Sequence, residues 1–238
     1  MFFSQTNSKL FTSPFSKEYW KSAANEFGNV RTLTVASMVI ALRVLLKSVQ
    51  VPLVPGVLYI TFGFFANALG SMIYGPLVGL AGGAISDTIG AFLFPTGDYF
   101  FPFIITEMAS SFIFGLFLYR AKPTVYRVMA SRFSVVTICN IILTPIINRW
   151  YNAYFHIEKS YALFTTARLI KNAALFPAEA LLLILFLRAL LPATERLGLT
   201  CTGDGKLAFT RESIVMIVCM GIISACMVYF YSVYYIFK

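Results

Sequence analysis

A chain of 238 residues that is 58% hydrophobic and only 12% charged, with a mean hydropathy of +0.77, carries about half the charge of a water-soluble globule. Its net charge of +9 does not point to nucleic acid, because the basic residues gather at the ends of apolar segments and form no continuous face on a soluble element. Cys139, Cys201, Cys219, Cys226 and the single His156 show no Cys-x-x-Cys and no shared metal-ligand spacing, so neither a disulfide framework, a metal centre nor a cofactor is expected.

The N-terminal stretch lacks a charged start, apolar core and cleavage site in series, so no removable signal peptide is expected. Residues 14–28 place Phe15, Tyr19, Trp20, Ala23 and Phe27 on one side of a helix, with Lys17, Lys21 and Asn25 elsewhere, the pattern of an interfacial helix. A partly ordered tail would read the same way. Apolar windows then predict spans over about 32–49, 58–74, 76–94, 101–120, 125–150, 161–191 and 212–237. Gly75-Pro76 breaks the second from the third, Pro95-Thr96-Gly97-Asp98 ends the third, and Lys122-Pro123 separates the fourth from the fifth. Tyr151 to Tyr161, with His156, Glu158 and Lys159, reads as a polar loop, and Gly203-Asp204-Gly205 lies in the linker before the last span. The fold class is all-α integral membrane: an interfacial helix, six spans and a seventh C-terminal span.

Orientation follows from the basic residues. Lys17, Lys21 and Arg31, then Arg120, Lys122 and Arg127, then Arg188, Arg196, Lys206 and Arg211 fall on one set of loops, whereas the opposite set (50–57, 95–100, 153–160) holds one lysine. The positive-inside rule places the N-terminus in the cytoplasm of a multi-pass plasma-membrane protein.

A charge inside the bilayer costs about 2.5–3.5 kcal/mol on insertion scales, so Arg43, Lys47, Asp87, Glu107, Arg168, Lys171 and Glu179 need reasons. Lys47, near its span's end, is expected to snorkel to water. Asp87 and Glu179 are read as partners in helix–helix ion pairs ahead of ligand contacts. On the first span Ser37, Ala41 and Ser48 share one face and Ile40, Arg43 and Lys47 the opposite one, so a small-residue contact surface backs onto two cations. Thr137, Asn140, Thr144 and Asn148 form a stripe on the fifth span; Arg168, Asn172 and Glu179 align on the sixth with Lys171 beside them; Glu107 and Ser110 share a face of the fourth. These stripes either glue the bundle or line a cavity for a polar ligand, and the excess of cations in the outer half favours a cavity for an anionic or hydrogen-bond-rich ligand. The loop Phe94 to Pro102 adds Asp98, Tyr99 and further aromatics, an interfacial belt or a platform for a flat ring.

The run GPLVGLAGGAISDTIGAFLFPTGDYFFPFIITEMASSFIFGLFLYR resembles the folate-type substrate-binding S components of energy-coupling factor (ECF) vitamin transporters, with their Gly-Pro opening, aspartate-bearing small-residue helix, Phe-Pro-Thr-Gly turn and Gly-Leu-x-x-Tyr ending. ARLIKNAALFPAEALL resembles the family's sixth helix. TLTVASMVIALRVLLKSV is similar to its first, whose Ala-x-x-x-Ala motif docks the coupling subunit; Ser37 and Ala41 hold those positions here. The resemblance covers about residues 30–192 and departs from the six-helix plan beyond them. It implies three parts: an N-terminal cytoplasmic or interfacial segment (1–30), a six-helix S-component-like substrate-binding domain (31–192), and a linker with the additional helix (193–238).

The function implied is capture of folate on the outer side of the membrane and delivery with a separate module of one coupling transmembrane subunit and two ATPases. The chain itself has no ATPase motif: Gly198 to Lys206 carries Asp204 where a phosphate loop needs lysine, and Leu207 follows Lys206. For a pterin-bearing ligand, Arg168, Lys171 and Asn172 would donate to carboxylate or ring oxygens and Asn140 and Asn148 would read the pterin edge. Tyr99 or Phe103 would stack on its face, Glu107 would accept from ring N–H groups or serve a structural ion pair, and Asp98 lies on the loop above. An S component for another vitamin such as cobalamin is the alternative ligand reading. A bare structural subunit accounts for the small-residue faces but not for the outer polar stripes. A membrane enzyme would need a zinc helix, a Ser-His pair or clustered aspartates, none of which the sequence supplies.

Overall fold

The computed structural model describes residues 10–54, 58–95, 98–157, 166–200, 207 and 209–236. Only helices and closed barrels satisfy every backbone group within hydrocarbon, and the described chain is helical save for one small hairpin. Helix α1 (Lys17–Asn25) starts on a Ser16 cap, ends in a 3-10 turn (Glu26–Gly28), and meets α2 (Val30–Ser48) at an 81° bend. Strands β1 (Gln50–Val54) and β2 (Leu58–Thr61) pair antiparallel, Gln50 opposite Thr61, and lead into α3 (Gly63–Leu93). A 3-10 turn (Phe101–Phe103) opens α4 (Ile104–Leu118). Helix α5 (Val125–Val135), a π-helical stretch (Val136–Leu143) and α6 (Thr144–Tyr154) form one rod, followed by α7 (Thr166–Arg196) and α8 (Arg211–Ile236).

The predicted break at Gly75-Pro76 is a reversal. Gly75 sits at φ 80°, ψ 179°, a conformation that L side chains rarely adopt, and Pro76 fixes the next turn. A Cβ added to Gly63 would lie 3.4 Å from Lys47 Cγ, and one on Gly90 3.6 Å from Lys47 Cδ. A continuous helix would hold those glycines about 40 Å apart, so residues 63–74 and 76–93 run back along each other. Together with α2, α4, the α5–α6 rod, α7 and α8 these two arms make the seven helices that the hydropathy pattern predicts. Four helical segments (63–93, 101–118, 125–154 and 168–196) are long and apolar enough to cross a membrane, and α1 and α2 reach that length and hydropathy only when counted together across their bend. Helix α8, 26 residues long, packs against α7.

Small residues set the tightest contacts. A Cβ on Gly83 would meet the Glu107 backbone at 2.8 Å, and one on Gly115 the Pro76 Cα at 2.5 Å, so α4 lies directly against the arm 76–93. The core joins Phe64, Phe65, Met72, Phe114, Val128 and Leu183 across α3, α4, α5 and α7. The interfacial helix departs from its expected pose. Tyr19 and Ala23 are buried against Phe11 and Tyr119, whereas Phe15 is 92% exposed, so α1 docks on the bundle with half of its apolar face. The proposed loop from Tyr151 is helical to Tyr154 and turns at Phe155-His156; residues 158–165, 201–206 and 237–238, with the Thr96-Gly97 turn, lie outside the described residues.

Candidate functional site

A cavity of about 460 Å³ opens between α2, the arm 63–74, α4, the α5–α6 rod and α7. Along α7 its lining runs from Arg168, in the first turn, through Lys171, Asn172 and Leu175 to Glu179, about 16 Å deeper at the helical rise. Arg168 and Lys171 therefore stand at the mouth with Thr61 of β2, and Glu179 at the floor with Arg132 and Phe64.

On one wall α2 presents Arg43 and Lys47, one turn apart. Arg43 is 1% exposed; its Nη2 donates to Glu107 Oε2 at 2.6 Å and its Nη1 to Ser111 Oγ at 2.9 Å. Lys47 Nζ bonds Asp87 Oδ1 at 2.8 Å and Glu107 Oε1 at 3.0 Å. Lys47 thus does not snorkel. Two carboxylates within reach hold it in the bundle, which desolvation alone would not allow. Both oxygens of Glu107 are engaged, and Asp87 is the ion-pair partner that the sequence suggested.

Amides dominate the next layer. Asn67 Nδ2 donates to Ser110 Oγ at 2.8 Å, Asn140 Nδ2 to Asn172 Oδ1 at 3.2 Å, and Asn172 Nδ2 to the Arg168 carbonyl at 2.9 Å. At the floor Arg132 Nη2 donates to Glu179 Oε2 at 2.6 Å, and the guanidinium lies over the Phe64 ring, 4.3 Å from its centroid. Val135, Cys139 and Leu175 supply apolar lining between floor and mouth. The lining holds five cations (Arg43, Lys47, Arg132, Arg168, Lys171) against two acids (Glu107, Glu179). Lys171 has no acidic partner among the described residues.

Of the residues singled out in the sequence, Glu107, Asn140, Arg168, Lys171 and Asn172 line this cavity, and Asp98, Tyr99, Phe103 and Asn148 do not. Asp98 and Tyr99 are exposed, and Tyr99 stacks on Phe92 at 5.6 Å. Phe103 packs on Phe100 and Tyr151 in a ring cluster that also holds Trp150, Tyr154 and Phe155. The aromatics of this loop bind one another and tie it to α6. Thr137 leaves the predicted stripe because of the π turn: Thr144 Oγ1 donates to the Cys139 carbonyl five residues back, at 2.7 Å, so Cys139, Asn140 and Thr144 share the cavity face. Asn148 lies a further turn along the helix, beyond the lining.

Arg132 was not anticipated. It stands eight residues before Asn140, about 80° off that stripe at the α-helical repeat, and only the intervening π turn, which the sequence does not mark, brings it onto the cavity face. Ser37 and Ala41 are exposed on the face of α2 turned away from buried Arg43.

Residues 27–189 match the family described as the S component of ECF-type riboflavin transporters. Among named proteins, the "Folate transporter FolT" of Clostridium novyi is 31% identical over 136 residues, covering 57% of this chain and 74% of the relative. The "Folate transporter FolT" of Leuconostoc mesenteroides subsp. mesenteroides is 32% identical over 155 residues, 63% of this chain and 81% of the relative. A solved structure titled "Crystal structure of FolT bound with folic acid" superposes with a TM-score of 0.54 at 28% identity, over 64% of this chain and 89% of that one. The chain is thus a transporter subunit and not an enzyme, and it belongs to the S components of ECF-type transporters, with α8 lying beyond the family match.

Proposed function

We propose that the chain captures folate or a close folate derivative in this cavity and hands it to a separate energising module. The observation that carries the reading is the charge of the cavity. Its mouth sets Arg168 and Lys171 where the two carboxylates of a folate glutamate tail would sit, and its deeper part narrows to apolar and amide groups suited to a flat heterocycle. The volume falls within the range of about 300–1,000 Å³ that small-molecule sites occupy. The folate names of the two relatives and the folic acid in the similar structure support the same ligand. Riboflavin is the second reading, favoured by the description of the matching family. That ligand carries no charge and would leave Lys171 without an anion.

Calorimetric titration of the detergent-purified chain with folate, riboflavin and cobalamin decides among them. Folate is expected to bind one-to-one; saturation by riboflavin or cobalamin alone replaces the substrate while keeping the transporter class.

The energising partners in this reading are one coupling transmembrane subunit and two ATPases, met through the Ser37–Ala41 face of α2. Close backbone approach needs small residues there, and both are exposed. The same reading sets the N-terminus and the Arg120–Arg127 loop in the cytoplasm and the cavity mouth outside. In a background without native cysteines, Asp98→Cys is then labelled from outside intact cells and Thr124→Cys is not. Labelling of both from outside overturns the orientation.

A further inference from the structure

Two acids line the cavity, and they differ in what their partners leave over. Glu107 gives Oε2 to Arg43 and Oε1 to Lys47. Glu179 is engaged at Oε2 by Arg132, and among the described residues no bond is made to Oε1. Arg132 is 94% buried (6% relative exposure), and its Nε is a buried donor without a partner. Buried N–H groups are nearly always satisfied, so an orphan of this kind on the lining of a cavity marks a place for an acceptor on the ligand. A guanidinium is planar and offers parallel donors along one edge. With the carboxylate fastened to it at Oε2 and Phe64 packed on its face, the pair holds one uncommitted donor and one uncommitted acceptor oxygen among residues of the cavity floor.

We propose that the Arg132–Glu179 pair is the specificity determinant that selects a 2-amino-4-oxo heterocycle over a 2,4-dioxo one. The proposal rests on the folate reading and assigns the end of the ligand that this reading leaves open. The pyrimidinone edge of a pterin presents O4, an acceptor, beside N3–H and the 2-amino group, both donors. Arg132 Nε–H donates to O4, and Glu179 Oε1 accepts from N3–H and the 2-amino group. A flavin or a lumazine carries an oxygen in place of the 2-amino group. That oxygen meets the carboxylate lone pair to lone pair, which penalises the dioxo edge. The other acid on the lining is committed to cations at both oxygens, Glu107 to Arg43 and Lys47, and Lys47 also holds Asp87.

The test compares fragments on the wild-type chain and on Glu179→Gln. Titration calorimetry uses folate, pterin, lumazine, riboflavin and p-aminobenzoylglutamate. Wild type is expected to bind pterin at least on the order of tenfold more tightly than lumazine, the size of effect that one unpaired polar contact produces. Glu179→Gln presents an amide that donates to the 2-oxo group. It is expected to bring pterin and lumazine within about threefold of each other and to leave p-aminobenzoylglutamate binding, which engages the mouth, unchanged. Equal binding of pterin and lumazine by wild type overturns the proposal without any variant. So does a folded Glu179→Gln chain that keeps the full wild-type discrimination. A wild-type chain that binds neither folate nor p-aminobenzoylglutamate overturns the folate reading itself, an outcome separate from loss of discrimination at the floor.

Discussion

At the closed end of the bundle Glu26, 7% exposed, accepts from Thr32 Oγ1 at 2.7 Å, Tyr119 Oη at 2.7 Å and Arg120 Nη2 at 3.0 Å, and nearby Tyr19 Oη donates to the Gly115 carbonyl at 3.0 Å. At the cavity end the polar groups are as numerous but incompletely matched: Lys171 lacks an acid among the described residues, and Arg132 Nε is a buried donor without an acceptor. Both ends take charge out of water, which in itself costs free energy. Complete pairing at one end fastens α1 to α2 and α4. Incomplete pairing at the other leaves donors over, which the proposed function assigns to a ligand. Between these two clusters the difference lies in saturation more than in burial.

The largest effect expected from breaking this contrast is on stability. Arg132→Ala leaves the Glu179 carboxylate buried and unpaired, which costs about 3–5 kcal/mol and shows as a lowered melting temperature of the purified chain. Next comes the mouth. Joint replacement of Arg168 and Lys171 by Ala is expected to weaken folate binding by about 100-fold, near 2.7 kcal/mol, with little change in melting temperature; unchanged affinity would detach the mouth from ligand binding. Glu26→Gln removes the charge and turns one of the two oxygens that serve three donors into a donor, and is expected to cost about 1–3 kcal/mol of stability while leaving folate affinity at the wild-type value. A loss of affinity there would show that the two ends are coupled. The smallest effect on binding is expected for Ala41→Trp, none by calorimetry, accompanied by failure to copurify with the coupling subunit and ATPases.

How much of this was legible follows from which signals are local. Periodicity found the helices and the two faces of α2, because a 3.6-residue repeat survives in any packing. Gly75-Pro76 announced the break, since only a few residue types allow that backbone. Asp87 and Glu179 were assigned to ion pairs from the cost of charge in hydrocarbon, but their partners were not, because Lys47 lies 40 residues and Arg132 47 residues away along the chain. Tyr99 and Phe103 lie off the cavity lining, which the sequence could not show, because rings beside a cavity and rings that pack on one another have the same sequence signature. The stripe on the fifth span was read with an α-helical period, and the π turn shifts the face by one residue, about 100° of rotation. Nothing in TICNIIL marks that turn.

The reversal at Gly75 has a consequence for how the chain enters its membrane. The arm 63–74 is about 18 Å long, too short to cross the hydrocarbon unaided, and no loop of polar residues follows it to be delivered to the far side. Its partner arm carries Asp87, whose insertion alone is unfavourable. Joined by a single glycine, the two are expected to insert as one helical hairpin, its aspartate meeting Lys47 on α2, the helix that precedes them in the chain. Any other residue at 75 would strain that joint at the moment of insertion, before a ligand or a partner subunit has any part to play.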